Sequence, residues 1–217
     1  MKPRINSVSL VKYHDELLEL QGSRVTISRV ISRLTPAPLI NLYVGIIFSL
    51  ASPIGLGPVL TPLASILICL VVMVILPIAP IVYEAWKGNV DLDVSVRESR
   101  TKFFAFSMMC DVIAFVVYGY FGCHIMSTLA AAYFSVTAGV LLVSCKSKIS
   151  VHGAGVGGPG AALIYVYGPF ALFVVFVWML VIYSRVTLKQ HSLKQSITGV
   201  ILAVIISWIT YFILYMS

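Results

Sequence analysis

The sequence predicts an all-α integral membrane protein, a helical bundle of about six to seven transmembrane segments. Three observations predict it. Apolar residues make up 59% of the 217-residue chain and charged residues only 11%, against about 25% charged in a soluble domain. The apolar residues fall in runs, most of them close to the roughly 20 residues that span a hydrocarbon core. The polar residues gather in short islands between those runs, and Gly or Pro clusters mark the remaining turns. The length suits one membrane domain, residues 37–217, behind a basic amphipathic surface segment, residues 1–36.

In the surface segment Val8, Val11, Leu17, Leu18 and Leu20 are roughly helical in spacing, as are Val30, Ile31 and Leu34, with Gly22-Ser23 between the two groups. Arg24, Arg29 and Arg33 lie among the apolar residues of the second group, so two short amphipathic helices on the membrane surface are expected. The first membrane run extends from Pro38 to Leu56 and ends in the breaker cluster Pro53-Ile54-Gly55-Leu56-Gly57-Pro58. The second, Pro62 to Trp86, has Pro77 and Pro80 near its end, where a kink is expected. Phe103–Phe121 and Cys123–Cys145 follow, joined by a tight turn at Gly122. The apolar stretch after His152 to Tyr183 is too long for one helix, and Gly168-Pro169 lies at its middle. Proline disfavours a helical residue before it, so the stretch divides into two short helices, Gly153–Tyr167 and Pro169–Ser184. A last run begins at Ser196.

With this division all fifteen Lys and Arg residues fall on the side that holds the N-terminal segment. The positive-inside rule makes that side the cytoplasm, which predicts a cell-membrane protein with its polar islands facing inward. The net charge of +7 therefore points to lipid headgroups and not to nucleic acid. Cys69, Cys110, Cys123 and Cys145 lie in or beside apolar runs without a CxxC pair, so neither a disulfide framework nor a zinc site is expected. The first long apolar run lies behind a basic stretch, and no N-terminal signal peptide is expected.

Three islands carry the residues suited to chemistry: Lys87–Lys102, Lys146–Gly153 and Ser184–Gln195. Together they supply His152, His191 and several cations, with no acidic cluster. Metal-free cleavage of a phosphate ester needs a nucleophile, cations for the anionic oxygens, and an acid for the leaving oxygen. His191 and Gln195 are four apart and share a face at a helix start, so Gln195 is expected to orient the imidazole through one ring nitrogen. Gly153, in the run of small residues after His152, offers a backbone N–H that an anion can approach. His14 and His124 are read as structural. Asp111, a carboxyl inside an apolar run, is either functional or a neutral hydrogen-bonded core acid.

Ser184-Arg185, five residues, His191, three residues and Gln195 resemble the third signature of the type 2 phosphatidic acid phosphatase superfamily, SR-x5-H-x3-D. Ile149-Ser150-Val151-His152 is similar to the second, PSGH, and Arg100, with Arg97 nearby, matches part of the first, K-x6-RP. The resemblance covers Lys87 to the C-terminus and includes the pair of short helices between the second and third signatures. It implies His191 as the nucleophile of a phosphohistidine, His152 as the acid for the leaving group, and Arg100, Ser150 and Arg185 as phosphoryl ligands. Gln195 stands in place of the signature aspartate, Asp93 in place of the lysine, and proline is missing from the first two signatures. Lys87, Lys102 or Lys148 is left to supply the missing cation.

The function expected on these grounds is a lipid phosphate or diphosphate phosphatase needing no metal and no cofactor. Its substrate would be an isoprenyl diphosphate or a phosphatidic-acid-like lipid in the membrane. Two others stay open. Asn89-Val90-Asp91-Leu92-Asp93 with Arg97 and Arg100 faintly resembles the aspartate-rich loop of an intramembrane prenyltransferase, and Gln195 suits a catalytically inactive lipid-binding protein on the same scaffold.

Overall fold

The computed structural model describes residues 13–18, 20–94 and 97–215. The expected helix through Val8 and Val11, and the side chains of His14, Leu17 and Arg97, lie outside what is described. Every regular element among these residues is helical. A single turn, α1 (His14–Leu17), leads into α2 (Ser23–Leu34) and α3 (Ala37–Ala51). Pro62–Trp86 is one continuous helix, made of α4 (Pro62–Ile68), a π-helical stretch (Cys69–Ile75) and α5 (Leu76–Trp86). Then come α6 (Arg97–Tyr120), α7 (His124–Ser144), α8 (Val151–Tyr167), a 3-10 turn (Gly168–Ala171), α9 (Phe173–Thr187) and α10 (Leu193–Leu214).

Among the described residues, four helices are long and apolar enough to cross a membrane: Pro62–Trp86, Ser99–Tyr120, His124–Ser144 and Leu193–Leu214. The pair α2 and α3, bent by 55°, makes a fifth if taken as one span. This is fewer than the six to seven expected. The difference lies in α3, α8 and α9, which have 15, 17 and 15 residues, below the roughly 20 that cross unaided. The division at Gly168-Pro169 is present: Gly168 takes φ 60°, and α8 and α9 fold back on each other, with Trp178 Nε1 donating to the Val156 carbonyl at 2.9 Å.

The second helix has a physical device where a simple kink was expected. Pro77 cannot supply the N–H that a regular α-helix would bring to the Met73 carbonyl. The chain is π-helical through that carbonyl, and Asn41 Nδ2 of α3 donates to it at 3.3 Å. Borrowed partners of this kind are how membrane helices tolerate proline. At one end of the bundle the turns at Gly57 and Gly122 nest so closely that a Cβ on Gly57 would lie 2.3 Å from the Gly122 carbonyl oxygen. Tyr167, at the end of α8, reaches the same end, its hydroxyl donating to the Ala51 carbonyl at 3.0 Å.

The helix that sets the opposite end is α8. A Cβ on Gly157 would stand 2.7 Å from the Val200 carbonyl oxygen of α10, and one on Gly199 would stand 2.5 Å from that of Ser150. The two backbones touch because small residues face each other, the usual basis of helix packing in lipid. Outward faces are apolar: Val71, Val116, Phe176, Ile201, Ile205 and Phe212 are all exposed. In α2 the same inversion is plain. Ser28 and Ser32 are buried against α9, while Ile27, Val30 and Leu34 are more than half exposed. Gly199→Val should force α8 and α10 apart and cost about 1–3 kcal/mol of stability. Thermal unfolding of the detergent-solubilised protein measures this.

Candidate functional site

At the end of the bundle away from Gly57 and Gly122, the start of α6, the start of α8, the end of α9 and the start of α10 meet. Together with the loop after α5 they enclose a cavity of about 80 Å³ lined by Asp93, Arg100, Lys148, Val151, His152, Arg185, Gln190 and His191. Its wall is polar. Both histidines, Arg100, Lys148 and Arg185 thus share one small space. The positive ends of the α8 and α10 dipoles lie on the same side of the bundle.

Local chain geometry explains how a six-residue spacing brings Arg185 and His191 together. α9 ends at Thr187, and Lys189 takes the left-handed conformation, φ 54°. The chain then folds back, so that the N–H groups of Gln190 and His191 both donate to the Arg185 carbonyl, at 3.1 and 3.3 Å. Ser192 caps α10 in a capping box with Gln195. The Ser192 N–H donates to Gln195 Oε1 at 3.1 Å, and His191 Nδ1 lies 3.3 Å from the same oxygen. An oxygen that receives the Ser192 N–H can only accept, so Nδ1 carries the proton and Nε2 keeps its lone pair.

Burial of His191, reinforced by the charges of Arg185 and Lys148, brings its imidazole down to about 4, against a smaller opposing effect of Gln195. The neutral ring is therefore the resident form near pH 7. An unfolded chain takes up this proton near pH 6.5. Between about 4 and 6.5 the unfolded state binds more protons, so this residue makes the fold less stable as pH falls through that window.

Arg185 is 2% exposed. Its Nη1 donates to Ser32 Oγ at 2.8 Å, and Nη1 and Nη2 both donate to Asp93 Oδ1 at 3.2 Å. Its Nε has no partner. Next to it, Ser184 Oγ donates to the Ser28 carbonyl at 2.7 Å. Arg100, buried in the first turn of α6, donates through Nε to the Val94 carbonyl at 2.8 Å and so holds the loop that carries Asp93. Val94 has φ 45°, which a β-branched residue adopts only under restraint. The same turn is closed by the Asp93 N–H donating to Asp91 Oδ1 at 2.9 Å.

Of the three candidate lysines, Lys148 lines the cavity. Lys87 Nζ stacks over the Tyr83 ring, and Lys102 Nζ lies 3.8 Å from a Glu84 carboxylate oxygen. Two expected phosphate ligands have other tasks. Ser150 is fully buried and caps α8, its Oγ accepting from the Gly153 N–H at 3.1 Å, and the Ser150 N–H donates to the Gln195 carbonyl. Gly153 packs against α10, where a Cβ would lie 2.8 Å from the Ser196 carbonyl oxygen. Neither lines the cavity, and an N–H already engaged in a cap is not free for an anion. Asp111 is buried in α6 with Oδ2 unpartnered, away from the cavity. The four cysteines are free thiols, Cys145 alone exposed. Among the described residues, no three His, Cys, Asp or Glu side chains gather as a metal site would require.

Sequence reasoning missed Gln190 and Ser32 as members of this site. Gln190 lies among the five unspecified residues between Arg185 and His191. Ser32 lies in a segment read only for its basic and apolar residues. The signal available was the i, i+4 pair Ser28 and Ser32 in a helix that, after Thr26, is otherwise apolar or basic. No protein-family model matches this chain, and neither the curated proteins nor the solved structures contain a match.

His191 should stay neutral down to about pH 4, and Lys148→Met should raise that midpoint by removing one of the cations that depress it. Nitrogen-15 NMR of histidine-labelled protein reads both. A wild-type midpoint near 6.5 would contradict the described burial.

Proposed function

We propose that the chain is an integral membrane lipid phosphatase that works through a phosphohistidine. The observation that carries this reading is the convergence of His152 and His191 on one cavity with Arg100, Lys148 and Arg185. The resemblance to the type 2 phosphatidic acid phosphatase superfamily supports the same assignment of roles. His191 Nε2 attacks phosphorus, and the P–O bond to the lipid breaks. The departing alkoxide takes a proton from His152, which receives it from the monoanionic substrate, because burial and the charges of Arg185, His191 and Arg100 otherwise keep His152 neutral. Neutral His152 then accepts a proton from water as the water oxygen attacks phosphorus and the P–N bond to His191 breaks. Inorganic phosphate leaves, and both imidazoles are restored. Arg100, Arg185 and Lys148 offset the charge on the non-bridging oxygens.

The space of about 80 Å³ suits one tetrahedral phosphoryl group with its lipid outside, since a water takes about 30 Å³ of liquid. A terminal phosphate, of an isoprenyl diphosphate or a phosphatidic-acid-like lipid, fits that description. In this reading α3 and the short pair α8 and α9 complete a core of six to seven crossings, tilted or locally thinning the bilayer. The basic end with the cavity faces the cytoplasm.

Gln195 favours a second reading. An amide supports His191 where a carboxylate would offset the positive charge that develops on attack. A protein that binds lipid phosphate without turning it over would carry the same cavity. The prenyltransferase alternative draws no such support, because Asp93 of the aspartate-rich loop is paired with Arg185.

The test is phosphate release from dioleoyl phosphatidic acid and farnesyl diphosphate in detergent with EDTA present. His191→Ala should lower kcat at least about 1,000-fold, as loss of a nucleophile does. Rapid quenching into alkali should trap a phosphohistidine in the wild type alone. Undiminished turnover in His191→Ala would refute the mechanism, and tight binding without turnover in the wild type would favour the second reading.

A further inference from the structure

The cavity holds two buried donors that nothing among the described residues satisfies. Gln190 is 5% exposed and its Nε2 has no partner, and the Nε of Arg185 beside it is likewise unpartnered. Both residues line the cavity. A buried donor left unsatisfied destabilises a fold, and most such groups in native proteins have a partner or an explanation.

The surroundings define what would satisfy them. The other two nitrogens of the Arg185 guanidinium are engaged by Asp93 and Ser32, so its free edge is Nε. The backbone N–H of Gln190 is bonded to the Arg185 carbonyl, which fixes the two side chains in register across one tight turn. The lining also holds the cations Arg100 and Lys148, Val151, the imidazoles of His152 and His191, and Asp93, whose Oδ1 already accepts from Arg185. A ligand entering this space meets mainly N–H donors, so it must present several acceptor oxygens and negative charge. A phosphoryl group does so.

Resting on the phosphatase reading, we propose that Gln190 is a substrate-contacting residue. Its side-chain amide donates to a non-bridging oxygen of the phosphoryl group beside Arg185 Nε. It is a neutral donor among cations. It adds direction without adding charge, and it selects a terminal phosphoryl group with oxygens to spare over a phosphodiester with two ester arms.

The probe is inorganic phosphate, titrated by calorimetry into full-length protein in detergent, which reads the site without turnover. Gln190→Leu should weaken phosphate binding about 10- to 100-fold, the effect of losing a hydrogen bond to a charged group. Gln190→Lys, which keeps a donor, should bind at least as well as the wild type. A merely structural role would weaken both. Melting temperatures recorded without phosphate check the fold. Should Gln190→Leu not fold, Gln190→Met, of similar length and without the amide, makes the same comparison. If Gln190→Leu binds phosphate as tightly as the wild type while Arg185→Ala does not bind, the proposal falls and the phosphate site stands. If the wild type does not bind phosphate, both fall.

Discussion

The site depends on one buried charge. The Arg185 guanidinium lies almost wholly out of water, at the end of an apolar helix. An unpaired cation there would cost several kcal/mol, and the chain is arranged to prevent that. Asp93 supplies the countercharge and Ser32 a neutral acceptor. Their demands reach outward. Asp93 is held by a turn that strains Val94 and that Arg100 fastens to the start of α6. Ser32 requires α2 to lie against α9 through its serines. Three separate parts of the chain are thus committed to one guanidinium before any ligand arrives. This makes the N-terminal helix a component of the site and not an appendage to it.

Asp93 has a double character for the same reason. In the sequence it looks like a loss, a carboxylate where a cation belongs. In the structure it orients Arg185 by engaging two of its nitrogens and leaves the third facing the cavity. Of the lysines expected to make up for it, Lys148, from another island, lines the cavity. Gln195 shows a similar economy: one amide oxygen completes the cap of α10 and fixes the tautomer of His191.

Much of this was legible in the sequence. The runs of apolar residues located the helices from α3 onward, and the division at Gly168-Pro169 followed from what proline does to the residue before it. The islands with His152, His191, Arg100 and Arg185 proved to be neighbours in space. What stayed hidden has physical causes. Apolar periodicity tells which face of a helix avoids water but not which face meets protein. In lipid the apolar face of α2 can point outward, so Ser28 and Ser32 were overlooked. Glycines beside a histidine suggest anion binding and helix contact equally, and only the distances to α10 decide for Gly153. The role of Gln190 depends on a left-handed residue at Lys189, for which a lysine gives no warning.

That left-handed turn has a consequence for how this segment can vary. The Arg185 carbonyl receives two consecutive N–H groups, from Gln190 and His191, and the helix of Ser192 begins directly afterwards. The span between Arg185 and His191 is therefore set by ring closure. Within it Leu188 and Gln190 are buried and only the exposed Val186 and Lys189 are open to exchange, whereas its length is not. One residue more or fewer would swing the imidazole to another azimuth while leaving every chemical group in place, and the constellation would be lost through register alone.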